Sequence, residues 1–346
     1  MDWVFLGVAL VVILGGSQLF TNGVEWVGEG FGLSEGMVGS VLAAIGTALP
    51  ETILPFVAIL TGGHAQGKDI GQGAILGAPF MLATLGMVVV GVSTLLSSRG
   101  GRRGTDVLAQ QGVIRQDLSF FLVMYAMALL AGVVDVRALD WALAAGLVVT
   151  YGVYVRKHYR APGEPELEAE AAGEVRPLYA RAWVRRMRGL PTGEFTLPPT
   201  WASSAQTLAG LGLMVAGARV FVSGMETAAR SFGVPSLVLA LLIAPVATEL
   251  PETFNSVIWI RRRKDTLALG NITGAMVFQS SFPVGVGLLF TPWHLTRAGA
   301  ISAVIALAAA VIVYTTLRVR ARISAWLLLL QAAFYVAYVV YVLTRG

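Results

Sequence analysis

Hydrophobic residues form ten long stretches along this chain of 346 residues, with short polar connections between most of them. A helix needs roughly 17–25 mostly apolar residues to cross the hydrocarbon of a bilayer. The pattern therefore predicts an all-α polytopic membrane protein with ten transmembrane helices. Their predicted bounds are 3–24, 36–60, 71–97, 118–134, 138–156, 203–227, 234–260, 266–291, 298–317 and 323–343.

Composition supports a lipid environment. The chain is 56% hydrophobic and 13% charged, whereas soluble domains are about one-quarter charged. It has no cysteine, which excludes disulfides and thiolate metal sites. The basic balance, with a pI near 9.7, is explained by loop charges rather than by a nucleic-acid partner. We expect the bilayer to be a partner of the chain, and we expect no cofactor.

Most basic residues fall in four of the predicted loops, which hold eighteen of the 25 lysines and arginines, or nineteen with Arg156 at the end of the adjoining span. Cytoplasmic loops of membrane proteins carry an excess of such residues. We therefore predict that these four loops are cytoplasmic and that both termini lie outside the cell inner (plasma) membrane. The four loops are 97–117, 157–202, 261–265 and 318–322.

The longest loop, 157–202, has two parts of different character. Residues 164–174 form an acidic Pro/Glu/Ala run, which is typical of a solvated linker. Residues 179–190 alternate arginine with leucine, tryptophan and methionine, which predicts a helix lying at the membrane interface against anionic lipid.

The chain contains an internal repeat. Residues 16–52 align with 217–253 without a gap, and twelve of the 37 pairs are identical, including a Leu-Pro-Glu-Thr segment at 49–52 and 250–253. Each half holds five predicted spans, an odd number, so the second half enters the membrane from the opposite face. We therefore predict two inverted five-helix repeats, as in many secondary transporters. The predicted domains are 1–156, the loop 157–202, and 203–346.

A second pair of matching segments follows in each half. Residues 73–78 align with 270–275, and both segments are rich in glycine, which favours close helix packing. The two motif regions of the first repeat lie near 46–52 and 71–82. Those of the second lie near 247–253 and 268–281.

Three glutamates, Glu51, Glu249 and Glu252, have long apolar sequence on both sides. An ionisable group at such depth costs about 2.5–3.5 kcal/mol on insertion scales, so it is a functional candidate. The alternative is that they only hold helices together after neutralisation by protonation or by Arg219. The repeated Pro-Glu pair favours a shared functional reason.

The prolines before these glutamates predict breaks in the helices, because proline has no N–H and clashes with the carbonyl four residues earlier. Pro50 and Pro251 should each free one carbonyl, and Pro245 should open a second break one turn earlier. Freed carbonyls at membrane depth need a buried cavity or an ion. The candidates are the carbonyls of Ala44, Gly46, Pro245 and Ala247.

The neighbouring polar residues supply oxygen ligands. Thr47 and Thr248 each lie one helical turn before a glutamate, on the same face. Two carboxylates, two hydroxyls and freed carbonyls offer about the six to eight oxygens that calcium prefers. The predicted cation-binding residues are Glu51, Glu252, Thr47, Thr248, Gln279 and Glu249, with Glu51 and Glu252 as the metal-binding pair and Asn255 and Asn271 in support.

At these residues the chain resembles the calcium/cation antiporter superfamily, which includes sodium/calcium and calcium/proton exchangers. That family carries a Gly-Thr-Ser-Leu-Pro-Glu-like stretch and a Gly-Asn-x-x-Gly-Ser-like stretch in each half. Here the first stretch is residues 46–51 and its copy is 247–252, and the second is best preserved at 270–275. The resemblance implies ten spans in two inverted halves and exchange of calcium for sodium or protons.

The chain departs from the sodium/calcium exchangers at several auxiliary positions. The resemblance would put serine where this chain has Ala78 and Ala275, and a polar or acidic ligand where it has Leu82. Gln279 resembles the residue of calcium/proton exchangers at its place, and Glu249 is an additional acid that can titrate. These departures favour proton coupling over sodium coupling.

The leading hypothesis is therefore an antiporter that exchanges Ca²⁺, or a similar divalent cation, for H⁺ or Na⁺. A passive cation channel and an antiporter of a monovalent cation with the same fold are the alternatives. An intramembrane enzyme that uses the carboxylates as acid and base is disfavoured, since the sequence shows no nucleophile-plus-histidine arrangement and no zinc motif.

Overall fold

The structure of the chain is a computed structural model that describes residues 2–31, 48–61, 64–98, 103–134, 136–158, 177–189, 198–320 and 322–345. These residues are almost entirely helical, apart from two short strands, β1 (Asp106–Val107) and β2 (Ile323–Ser324). The helices are α1 (Asp2–Gly30), α2 (Leu49–Thr61), α3 (His64–Met81), α4 (Met87–Ser98), α5 (Gln111–Val134), α6 (Arg137–His158), α7 (Tyr179–Met187), α8 (Thr200–Phe232), α9 (Ser236–Thr248), α10 (Leu250–Arg261), α11 (Asp265–Gln279), α12 (Phe282–Phe290), α13 (Arg297–Arg320) and α14 (Ala325–Arg345).

The protein is a multi-pass membrane protein. Within the described ranges, eight helical segments are long and apolar enough to cross a bilayer. One of them joins α3 to α4 through a π-helical turn, Leu82–Gly86, and another joins α11 to α12. The predicted total of ten spans is not established by these segments.

Two predicted spans differ from the observed helices. The predicted span 36–60 is described only from its later part, as α2, since residues 36–47 lie outside the described residues. The predicted span 234–260 consists of two helices, α9 and α10, because the helix is interrupted at Glu249. Each piece is shorter than the roughly 17 residues needed to cross the hydrocarbon.

The other predicted spans match single helices or, for 71–97 and 266–291, two successive helices, with ends displaced by up to seven residues. The predicted hairpin at residues 135–140 is confirmed, because α5 ends at Val134 and α6 begins at Arg137. α5 begins at Gln111, seven residues before the predicted bound, so Asp117 lies inside the helix. The predicted helix in the long loop is present as α7, while the acidic run 164–174 lies outside the described residues.

The described residues form two compact units. The first comprises Met1–Leu54 and Tyr159–Gly224. In it α1 packs closely on the first part of α8, since a Cβ added at Gly16 would lie 2.9 Å from the carbonyl oxygen of Gly210. Small residues permit such backbone contact between membrane helices.

The second unit comprises Pro55–His158 and Met225–Gly346, and its core contains α3 and α9. A Cβ added at Gly73 or Gly77 would overlap the carbonyl oxygens of Leu237 and Leu241 in α9. The predicted role of these α3 glycines in close packing is therefore confirmed. The predicted repeat domains 1–156, 157–202 and 203–346 follow sequence symmetry rather than these contacts, and they remain a prediction.

The α3–α9 contact gives a first test. We expect Gly77→Val to destabilise the protein by about 1–3 kcal/mol, because the new side chain would force α3 away from Leu241 and Pro245. Gly146→Val in α6 is the matched control, since no described atom lies within 4 Å of a Cβ there. Thermal unfolding of both purified variants measures the difference. Equal unfolding temperatures would contradict the packing role.

Candidate cation site

The second Pro-Glu segment lies at a break between α9 and α10. α9 ends at Thr248, and Glu249 follows with φ −85° and ψ 2° before α10 begins. Pro251, in the first turn of α10, has no N–H for the carbonyl of Ala247, so the predicted break at this proline is confirmed. The side chains of Thr248, Glu249 and Glu252 are buried.

The second break predicted at Pro245 is wrong. α9 continues through Pro245 without interruption, and the Pro245 carbonyl accepts a 2.9 Å hydrogen bond from the Glu249 N–H. The proline packs against α3 at Gly77, where the absence of a side chain leaves room for its ring. Tertiary packing thus keeps the helix intact despite the missing N–H.

Glu249 and Glu252 bring two buried carboxylates together. Oxygens of the two groups lie within 4.8 Å of one another, and Glu249 is fully buried. Two negative charges at that distance repel by roughly 3.5 kcal/mol at an effective dielectric constant of about 20. The pair therefore requires a cation or protons to be stable in these buried surroundings.

Three oxygens at this place have no donor. In the part of the chain that the structure describes, no hydrogen-bond donor reaches Glu249 Oε2, Glu252 Oε2 or Gln279 Oε1, although all three are buried. Most buried polar atoms are paired, so such a cluster needs an explanation. All three atoms are acceptors, which is the ligand type that a hard cation takes.

α11 supplies the polar side chains around the break. Gln279 Nε2 donates to Glu249 Oε1 at 2.5 Å. The other atom of the amide, Gln279 Oε1, is then an acceptor that no described donor reaches. Asn271 Nδ2 donates to the Glu252 carbonyl at 2.8 Å, and that carbonyl also accepts from Ser256 Oγ at 2.9 Å. α11 therefore contacts both glutamate residues, once through a carboxylate and once through the backbone.

The first Pro-Glu segment begins a helix in the same way as the second. Pro50 and Glu51 lie in the first turn of α2, as Pro251 and Glu252 lie in the first turn of α10. Proline is tolerated there because the first N–H groups of a helix have no partner within it. A helix N-terminus also favours a negative charge.

The threonines of the two segments make matching hydrogen bonds. Thr52 Oγ1 donates to the Ala48 carbonyl at 3.0 Å, and Thr253 Oγ1 donates to the Glu249 carbonyl. Glu51 is 7% exposed, the same value as Glu252. The local conformation of Pro-Glu-Thr is thus shared by the two copies.

The helices of the second motif are also irregular at matching places. The π-helical turn after α3 begins at Leu82, and α11 ends at Gln279, which the repeat aligns with Leu82. Local π-helical turns are frequent at functional sites. Leu82 is fully buried in the core and offers no oxygen, so the second copy alone carries a polar group here.

The sodium/calcium exchanger protein family profile matches residues 1–157 and 203–344, which is most of the chain. The chain belongs to the sodium/calcium exchanger family. This exchanger is 28% identical over 301 residues to CaxA of Alkalimonas amylolytica, covering 86% of this chain and 83% of that protein. It is 23% identical over 306 residues to the sodium/calcium exchanger MaX1 of Methanosarcina acetivorans, covering 84% of each chain.

Solved structures share the fold of the exchanger. The H⁺/Ca²⁺ exchanger CAX superposes with a TM-score of 0.69 at 16% identity, covering 100% of this chain and 82% of that one. The sodium-calcium exchanger NCX_Mj superposes with a TM-score of 0.54 at 20% identity, covering 98% and 99%. With the family match over most of the chain, the predicted superfamily is confirmed.

The remaining predicted ligands of the exchanger have different outcomes. Thr248 Oγ1 donates to the Ala244 carbonyl at 3.2 Å, which leaves its lone pairs available to a cation. The supporting role of Asn255 stays a prediction. The predicted ligands Thr47, Ala44 and Gly46 lie outside the described residues.

A buried carboxylate that the sequence pattern did not indicate lies against α11 at Thr273. Asp117 in α5 is 1% exposed, and it accepts hydrogen bonds from Thr273 Oγ1 at 2.6 Å and from Tyr154 Oη at 3.0 Å. Thr273 lies two residues after Asn271, so these bonds fix the rotation of the helix that contacts both glutamates. The predicted span began at residue 118, which left Asp117 in a loop and hid this signal.

The N-terminal end of α11, which the sequence predicts to face the cytoplasm, is fixed by Asp265. This is a second buried carboxylate that the sequence pattern did not indicate. Asp265 forms a bidentate pair with Arg103, at 3.0 and 2.7 Å, and accepts from the Leu108 N–H at 2.8 Å. Both side chains are at most 9% exposed. Paired buried charges with further hydrogen bonds can be accommodated, whereas removal of one partner is strongly destabilising.

The Asp117 contacts give a second test. We expect Asp117→Leu to weaken transport by reducing the apparent affinity for the cation, because Thr273 loses its acceptor on α5 and α11 can rotate. The loss of a buried charged hydrogen bond costs about 1.5–3 kcal/mol. Flux measured against cation concentration separates affinity from maximal rate. Asp117→Asn, which keeps an acceptor oxygen, should restore most of the affinity, and an unchanged affinity in Asp117→Leu would contradict the role.

Proposed function

We propose that this exchanger is a secondary active antiporter that carries Ca²⁺, or a similar divalent cation, in exchange for H⁺ or Na⁺ by alternating access. The observation that carries the proposal is the cluster of buried acceptor oxygens on Glu249, Glu252 and Gln279 at a helix break. Acceptors without donors, in a place where carboxylates approach one another, are suited to a hard cation.

Glu51 completes the proposed site. Its segment matches that of Glu252 in sequence, in helix position, in burial and in the hydrogen bond of the following threonine. In inverted-repeat transporters the binding site lies at the interface of the repeats near the membrane midplane. The proposed ligands are Glu51, Glu252, Thr47, Thr248, Glu249 and Gln279, with carbonyls of Ala44, Gly46, Pro245 and Ala247, and with Asn255 and Asn271 in support.

The chemistry of this set favours a divalent cation. Three carboxylates in an apolar environment require more than one compensating positive charge, and Ca²⁺ prefers oxygen ligands with carboxylates among them. The chain has no cysteine, so a thiolate-bound metal is excluded. The relative MaX1 is a sodium/calcium exchanger by name, which supports calcium as the cargo.

Alternating access explains why the helices are broken. Discontinuous helices in transporters direct their ends at the transported ion, and the two repeats then expose one site to either side in turn. The interruption at Glu249 between the short helices α9 and α10 has this character. A discontinuous helix within an inverted repeat favours antiport over a passive channel.

We propose that protons are the counter-ion. Ala78 and Leu82 are buried and offer no side-chain oxygen where sodium ligands would stand in related exchangers. When Ca²⁺ leaves, Glu249 and Glu252 cannot both stay charged at their separation without a large repulsion, and protons remove it directly. Gln279, a neutral amide, would orient Glu249 in both states.

We further propose that the protein lies in the plasma (inner) membrane with both termini outside and the loop 157–202 in the cytoplasm. The distribution of basic residues supports this orientation. The internal sequence repeat supports the division into an N-terminal repeat, the loop and a C-terminal repeat.

The proposal makes a direct prediction for the carboxylates. We expect Glu51→Gln and Glu252→Gln each to lower Ca²⁺ flux into proteoliposomes by at least about 100-fold, since each removes a charged ligand worth several kcal/mol to the bound ion. Glu29→Gln, in α1, is the matched control and should transport normally. Coupled Ca²⁺ exchange in either site variant, with normal folding of the protein, would contradict the proposal.

The counter-ion is tested separately. We expect an imposed pH gradient to drive uptake of radiolabelled Ca²⁺, while an imposed sodium gradient at equal pH does not. Proton movement opposite to calcium, followed with a trapped pH indicator, provides the second readout. Uptake driven by sodium alone would overturn proton coupling but leave antiport intact. Conductance without either counter-ion would overturn antiport itself.

A further inference from the structure

The short helix α7 is attached to the first compact unit by its N-terminus. The N–H of Tyr179 donates to Asn22 Oδ1 at 3.0 Å, and the N–H of Ala180 donates to Gln206 Oε1 at 2.8 Å. Gln206 Nε2 in turn donates to Asn22 Oδ1 at 2.9 Å and to the Leu19 carbonyl at 3.0 Å. The first N–H groups of a helix lack partners within it, and here buried amides of α1 and α8 satisfy two of them.

The attachment lies near the membrane surface. At about 1.5 Å per residue, α1 is roughly 43 Å long and α8 roughly 50 Å, which exceeds the hydrocarbon thickness of about 30 Å. Asn22 lies eight residues before the end of α1, and Gln206 lies six residues after the start of α8. The beginning of α7 is therefore close to the boundary between hydrocarbon and headgroups.

One face of α7 is apolar and exposed. Ala180, Trp183, Val184 and Met187 follow the i, i+3, i+4, i+7 spacing of a helix face. Trp183 is 65% exposed, Val184 40% and Met187 69%. Scattered apolar residues are common on surfaces, but a continuous helical face of this size marks an interaction site.

The charge of α7 identifies the partner. Between residues 179 and 188 the segment has four arginines and no acidic residue. Arg186 and Arg188 are exposed beside the apolar face. An amphipathic helix with a basic polar side and a Trp-containing apolar side binds the interface of membranes that contain anionic lipid.

We propose that α7 inserts its Ala180, Trp183, Val184 and Met187 face into the leaflet that contains anionic phospholipid, and that its fixed N-terminus ties α1 and α8 to that surface. Trp183 enters the headgroup region, and the two exposed arginines bind phosphate groups. The bonds to Asn22 and Gln206 transmit the position of α7 to the two long helices. This inference is independent of the ion that the exchanger carries.

Spin labels test the proposal, since the chain has no cysteine and single cysteines can be introduced without background. Val184→Cys and Met187→Cys report the apolar face, and Arg185→Cys reports the side of the helix away from it. In phosphatidylcholine vesicles mixed with phosphatidylglycerol, we expect labels at 184 and 187 to collide with oxygen and to be shielded from a water-soluble nickel chelate. The label at 185 should show the reverse. Equal exposure of all three labels to the chelate would overturn the proposal.

The charge contribution is tested on the Met187→Cys background. Each arginine near an anionic surface contributes about 1 kcal/mol to membrane binding. In the mixed vesicles, Arg186→Gln and Arg188→Gln should therefore each lower the ratio of membrane-inserted to free label by about fivefold. Arg320→Gln removes the same charge from an exposed residue of α13 and should change nothing. Equal effects of all three variants, or equal insertion in pure phosphatidylcholine, would overturn the role of anionic lipid.

Discussion

The structure depends on the cost of keeping carboxylates inside a membrane protein, away from water. Glu249 and Glu252 approach each other in a buried place where neither bulk solvent nor a described basic side chain compensates them. Every partner must come from the protein or from its cargo. The helix break at Pro251, the amides of α11 and the acceptor oxygens without donors all lie where this cost must be offset.

The helix α11 can present polar side chains to the candidate site because residues of neighbouring segments fix its position. Asp265 is held by Arg103 at one end, and Asp117 fixes the helix through Thr273. Gln279 then reaches Glu249 at the other end. Three carboxylates with different partners thus lie along one helix, two with structural roles and one at the candidate site. Burial alone does not distinguish these roles, whereas hydrogen bonding does: both oxygens of Asp117 and of Asp265 accept hydrogen bonds, and Glu249 Oε2 accepts none from the described residues.

Sequence predicted the parts of this arrangement that depend on local chemistry. The Pro-Glu-Thr repeat predicted that the two segments would have the same conformation, and both begin a helix with the glutamate in its first turn. Pro251 predicted a break because a missing N–H is a local property. Pro245 did not break its helix, because packing against Gly77 is a contact with a residue far away in the chain.

The parts that sequence did not predict depend on non-local contacts. Asp117 lies 156 residues from Thr273, and nothing in its own neighbourhood indicates that partner. The same holds for Arg103 and Asp265, which are 162 residues apart. Hydrophobic length placed the spans well but could not separate one long span from two short helices joined at a buried acid. The apolar stretch 234–260 has the same length whether it forms one spanning helix or two short ones.

The central proposal is that Glu51, Glu249 and Glu252 bind one divalent cation together. Crystals of the exchanger grown with Sr²⁺, a heavier analogue of calcium, would locate the ion by its anomalous scattering. The account predicts one strong peak, at about 2.3–2.6 Å from carboxylate oxygens of Glu51 and Glu252. A fully occupied strontium ion elsewhere in the protein, with no peak at these glutamates, would contradict it.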